Sequence, residues 1–153
     1  MELIIGINSY MGLDEANTII NDELFDSDTE YKTWNSLSEE NKKKLIVKGT
    51  RLVDQLPFIG YKSNLEDLEV LHWPRIINNK EIECPLSIKL GLLKQMLRDF
   101  ENRDKQETKL QELGVKEYSI KNASIKFSDT NSNKLSNGVY RDIYEECFSR
   151  WTY

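Results

Sequence analysis

Pro85-Leu86-Ser87-Ile88-Lys89-Leu90-Gly91-Leu92-Leu93-Lys94-Gln95-Met96-Leu97-Arg98-Asp99-Phe100 is the stretch that decides the fold class. Leu86, Leu90, Leu93, Leu97 and Phe100 recur at intervals of three and four, which lines them along one face of an α-helix. Ile88, Leu92 and Met96 form a second stripe. A helix that is apolar on two faces is either central to a bundle or shared with a neighbouring subunit. Pro85 suits the first helical position, where its missing N–H costs nothing. The helical pattern can be continued through the charged run Arg98 to Glu112 and stopped at Gly114, a suitable C-terminal cap.

Upstream, Gly12-Leu13-Asp14-Glu15 reads as a helix start with acids in the first turn. Leu13, Ala16, Ile20 and Leu24 then predict a helix over roughly 13–25. A polar stretch carrying Tyr31 and Trp34 leads to Ser36 and Ser38, either of which can cap a helix with the stripe Leu45, Gly49, Leu52, Val53 and Leu56. Pro57 ends it. Residues 58–84 show no helical period, yet they hold Tyr61, Leu65, Leu68, Leu71, Trp73, Ile76, Ile77 and Ile82. That is too much apolar surface for a flexible linker, so a long packed loop is expected, and such loops are commonly functional.

Downstream the period changes to two. Tyr118 and Ile120, then Ile125 and Phe127, with Lys121 to Ala123 between them, predict a small β-hairpin within 115–127. Ser128 to Lys134 is a polar spacer, and Ser136 or Asn137 can cap a last helix bearing Val139, Tyr140, Ile143, Tyr144, Cys147, Phe148 and Trp151 on one broad face. The expected fold is therefore mainly α: a small helical bundle with a long packed loop, a small β-hairpin and a C-terminal helix. Residues 1–127 form the main domain, and 128–153 a linker with a helix able to move independently of it.

Composition narrows the function. The chain has 153 residues, 31% of them charged, and a net charge of -5. An acidic balance argues against a protein that grips phosphates, since such grip comes from clustered Lys and Arg. The best basic run, Lys42-Lys43-Lys44, follows Glu39 and Glu40 without interleaved aromatics, and reads as a solvated helix face before a phosphate site. No stretch near the start resembles a secretory leader or membrane span, so a cytoplasmic chain with Cys84 and Cys147 as reduced thiols is expected.

Chemistry is sparse. His72 is the one histidine, and its context Leu71-His72-Trp73 suits packing or hydrogen bonding better than a general base. The 7 glycines never fall into a nucleotide-binding pattern. Asp26-Ser27-Asp28-Thr29-Glu30 imitates the start of a calcium loop, but Tyr31 stands where Gly is required and Leu37 where the bidentate Glu belongs. A non-enzyme with neither metal nor cofactor is expected. Two aromatic features remain. Trp73, Pro74 and Arg75 join a large apolar anchor, a rigid bend and a fork-shaped cation; they either structure the long loop, with Arg75 paired to a local acid, or form a contact surface. The C-terminal aromatics serve a partner contact or pack on their own core.

Read in order, these segments resemble the head-to-tail adaptor proteins that tailed bacteriophages place under the portal, a family often labelled DnaT-like single-stranded DNA-binding protein. Asn8-Ser9-Tyr10 with Leu13-Asp14-Glu15-Ala16 is similar to the family's entry into its first helix. Gly49-Thr50-Arg51-Leu52-Val53-Asp54, Gly60-Tyr61-Lys62, Trp73-Pro74-Arg75 and Ile82-Glu83-Cys84-Pro85 follow in the family's order, and the likeness spans residues 8 to about 151. The chain departs from it at Gly49 and Gly91, where such proteins usually have Ala, and at Cys84, which is extra before Pro85. The resemblance implies a ring, typically twelve-fold, in the virion neck, assembled in the host cytoplasm between the portal and a stopper or tail-completion protein. Its C-terminal helix is expected to dock on the portal through Val139, Tyr140, Ile143, Tyr144, Phe148 and Trp151. Duplex DNA would pass through the channel without specific binding, which an acidic lining favours. The family label also implies an alternative, a single-stranded DNA-binding accessory protein, which the acidic charge opposes.

Overall fold

A computed structural model describes residues 1–103, 117–120, 123–126 and 141–153. The fold is mainly helical with short antiparallel strands, as the sequence predicts. Helix α1 spans Leu13–Glu23, with Gly12 as N-cap, and buries Ala16, Ile19 and Ile20. It ends two residues before the predicted position because Leu24 is extended. A further helix, α2, occupies Thr29–Ser36 inside what reads as a polar stretch. Its apolar content is concentrated in Trp34, which is buried and donates from Nε1 to Asn17 Oδ1 at 2.9 Å, with Lys42 Nζ 5.1 Å from its ring centroid. Helix α3, Glu39–Val53, takes Ser38 as its cap, the Ser38 hydroxyl accepting from the Asn41 N–H.

The expected long loop is packed, but it also holds a sheet. Strands β1 (Tyr61–Lys62), β2 (Arg75–Ile77) and β3 (Lys80–Ile82) pair antiparallel in the order β1-β2-β3. Strands of two and three residues are too short to display a period of two. The signal that could have found β2 and β3 is Asn78-Asn79, which joins them with φ of 53° and 62°, the two left-handed residues that a tight hairpin turn requires and asparagine tolerates.

Helix α4, Leu86–Asn102, is the centre of the fold: Ile88, Leu92, Leu93, Met96 and Leu97 are buried against α1, α2, α3 and the end of the chain. Pro85 is its N-cap, with ψ of 152°, and not its first helical residue as expected. Two glycines let the helices close. A β-carbon on Gly49 of α3 would lie 2.6 Å from Leu92 Cδ2 and from Met96 Cγ, and one on Gly91 would lie 2.6 Å from Phe148 Cζ and 2.7 Å from Cys147 Cβ. At the far end of α4, Arg98 bridges Glu30 of α2 at 3.1 Å and Asp142 at 2.7 Å. The guanidinium holds the Asp142 carboxyl below its ordinary value.

Strands β4 (Glu117–Ile120) and β5 (Ala123–Lys126) form the expected hairpin, with Tyr118 opposite Ile125. The continuation toward Gly114, the spacer 128–134, the caps at Ser136 and Asn137, and the residues Phe127, Val139 and Tyr140 lie outside the described residues.

Candidate functional site

The segments carrying the resemblance are scattered between residues 8 and 85, and the side chains of Tyr10, Asp54, Lys62, Trp73 and Arg75 gather four of them into one knot. Asp54, just past the end of α3, accepts from Tyr10 Oη and, at 2.9 Å, from the His72 N–H. One carboxylate thus ties the N-terminal segment and the loop to α3. Burial, then the Asp54 charge, drives the Tyr10 hydroxyl far above its ordinary pKa, so it remains a donor.

Arg75, 7% exposed, is the second clamp. Its Nε donates to Ile59 O at 2.8 Å, Nη2 to Gly60 O at 2.8 Å and Phe58 O at 3.3 Å, and Nη1 to His72 O at 3.4 Å. All four of these acceptors are main-chain carbonyls, where a local acid was one of the expected partners. A planar fork with five N–H groups can span several carbonyls at once, which an ammonium cannot. Burial lowers its pKa. Gly60 must be glycine here: its φ is +75°, and a β-carbon would sit 2.2 Å from Ile76 O. Lys62 Nζ donates to Val70 O at 2.9 Å, and the Ser63 N–H to Pro74 O at 3.1 Å, which closes the loop between them.

Trp73, joined to Pro74 by a cis peptide bond, is 2% exposed. Its ring meets Phe58 edge-on at 5.3 Å and Trp151 at 5.8 Å. The two expected aromatic features therefore form one contact, Trp73 against Trp151. Of the expected loop residues, Trp73 is buried against Phe58 and Trp151, and Arg75 is held among main-chain carbonyls. Phe58 was not singled out from the sequence, and neither its neighbours nor its spacing distinguish it. Tyr10 and Asp54 lay in the quoted motifs without an assigned role.

The chain end is built into the core. It turns through an α segment (Arg141–Ile143), a π segment (Tyr144–Phe148) and a 3-10 segment (Ser149–Trp151), where one regular helix was expected. Ile143, Cys147 and Phe148 are buried, the last at 0% exposure against Gly91. Tyr144 and Trp151 are half-buried; Tyr144 Oη shares a hydrogen bond with Thr152 Oγ1 at 2.7 Å, and Trp151 Nε1 donates to Ser87 Oγ at 2.9 Å. Backbone bonds from Ile59 N to Trp151 O and from Tyr153 N to Pro57 O staple the end beside the knot. Residues 141–153 are thus not a helix free to move without disturbing the core, because Ile143 and Phe148 complete that core.

His72 lies edge-on to Phe58 with its Nδ1 buried and without a hydrogen-bond partner among the described residues, and burial lowers its pKa. Cys84 and Cys147 are free thiols, pushed up by burial to about 12 and about 11. Among the described residues no group of His, Cys, Asp and Glu is placed to hold a metal ion, and no helix is long and apolar enough to cross a membrane. The arrangement fastens main-chain segments to one another. No protein-family model, curated protein or solved structure matches the chain.

Proposed function

We propose that the chain is a structural adaptor of a tailed-phage neck, one subunit of a ring, twelve-fold by the resemblance, that sits between the portal and a stopper or tail-completion protein around the DNA channel. The observation that carries this reading is the knot: Tyr10, Asp54, Gly60, Lys62 and Arg75 come from four motifs of the resemblance, and each holds another of them or the loop they frame. Motifs recurring in a family's order have a physical reason to do so when they fasten one another. The reading has the side chains of Tyr144 and Trp151, half-buried at the chain end, available to the portal at their outer edges, whereas Ile143 and Phe148 act from inside by shaping that end. The test is to mix the protein with portal-bearing heads, co-sediment, and image the pellet by negative stain. Added ring density beneath the portal is expected; heads that pellet without the protein would remove the reading.

The single-stranded DNA-binding alternative draws on one feature, the exposed Lys44, Lys48 and Arg51 of α3. A labelled oligonucleotide that shifts in a salt-dependent way at micromolar protein would favour it.

A further inference from the structure

Exposed apolar side chains are concentrated where the start of the chain meets the loop after β1. Ile4, Ile5 and Ile7 are 47%, 64% and 53% exposed, and Tyr61, Leu65 and Leu68 are 49%, 65% and 89% exposed. The two groups are neighbours, because the Leu71 N–H bonds to Gly6 O at 2.8 Å. Gly6 and Leu71 also line a cleft of about 370 Å³, together with Ser63, Asn64, Val70 and Pro74. Exposed apolar side chains gathered on neighbouring segments in this way mark a contact surface. Its rim is acidic: Glu2, Glu66, Asp67, Glu69 and Glu81 are exposed, and Glu66, Asp67 and Glu69 have no ion-pair partner among the described residues.

The same chain carries the matching charge. Lys44, Lys48 and Arg51 stand at intervals of four and three, which places them on one face of α3. All three are exposed and likewise without an ion-pair partner among the described residues. Lysine and arginine stems are apolar up to the charged head, so they can cover leucines while their heads reach surrounding carboxylates.

We propose that a second copy of the chain seats on this apolar face, laying its Lys44, Lys48 and Arg51 stripe against Glu66, Asp67 and Glu69 so that the stems cover Leu65 and Leu68. The choice of a second copy rests on the ring reading above and names the contact between its subunits. Such a contact is polar at its edge and weak in isolation.

Sedimentation equilibrium of the wild type between about 10 and 500 µM, a range that populates contacts of this strength, is expected to show self-association. It should weaken about tenfold or more as salt rises from about 0.05 to 0.5 M, because exposed charges are screened. Two variants then test the pairing: Glu66→Lys with Asp67→Lys and Glu69→Lys, and Lys44→Glu with Lys48→Glu and Arg51→Glu. Each alone should stay monomeric, and an equimolar mixture should associate within about threefold of wild type, since opposite charges again face each other. Circular dichroism checks that each variant folds, and the single reversals Glu66→Lys and Lys48→Glu carry the same mixing test if a triple variant does not. Wild type that remains monomeric throughout at low salt overturns the proposal, as does a mixture no better than its components. Loss of this contact with retained portal co-sedimentation would remove the interface and leave the adaptor reading standing.

Discussion

The first and last segments of the chain are both rich in apolar side chains, and they meet opposite fates. At the end, Ile143, Cys147 and Phe148 are buried against α4; at the start, Ile4, Ile5 and Ile7 face water. The difference is not hydrophobicity. The end is helical, so its apolar residues share a face, and Gly91 leaves a seat into which Phe148 fits. The start is shaped by hydrogen bonds close in sequence: Gly6 N to Ser9 O, Asn8 Nδ2 to Glu2 O, and Ile4 N to Asn8 Oδ1. Those bonds fix a turn without turning its isoleucines inward. An apolar residue is thus core or contact surface according to whether its backbone gives it a shared face and an opposing seat.

The largest expected effect is at the buried end. Phe148→Ala empties the seat on Gly91 and should cost about 3–5 kcal/mol, read as a lower urea midpoint at unchanged slope. Trp73→Ala should cost about 3 kcal/mol or more, because it removes the ring between Phe58 and Trp151. A destabilisation below about 1 kcal/mol at Phe148 would break the comparison, since surface positions behave that way.

Arg75→Lys sharpens it, with a loss of about 2 kcal/mol, because a point-like ammonium leaves some of the four carbonyls unpaired. The His72 effect is smaller and depends on pH. Burial lowers its pKa in the folded state, so the unfolded chain binds the proton more readily. Stability should be full above the unfolded value of about 6.5 and decline as pH falls from there through the folded value. His72→Gln keeps the backbone bond to Asp54 and should flatten that slope in thermal scans from pH 7 downward. The smallest effect is at the start: Ile5→Ser with Ile7→Ser should change stability by no more than about 0.5 kcal/mol, while lowering self-association in sedimentation.

The helical core was legible where periodicity and burial coincide, as in α4 and α3. Helix α2 was not, because eight residues with one buried side chain give no stripe to recognise. The knot was legible as a set of motifs but not as a structure. Arg75 and Lys62 bind carbonyl oxygens, which every residue carries and no sequence distinguishes. Ile143 and Phe148 illustrate the remaining gap: their spacing reveals that they share a face, but what covers that face depends on Gly91, more than fifty residues away.

That glycine also constrains how the chain can change. An alanine at position 91 cannot be accepted while Phe148 and Cys147 stay where they are, and an alanine at position 49 meets Leu92 and Met96 in the same way. Each glycine and its two opposing side chains should therefore change as a set. Divergence through these sites has an order: the facing residue must shrink or shift first, and only then is the β-carbon tolerated. Among chains sharing this fold, alanine at the position of Gly91 should accompany a smaller residue opposite, and Phe148→Leu should rescue Gly91→Ala only in part, since it frees the ring's place and leaves the Cys147 Cβ contact to be relieved by a shift of that segment.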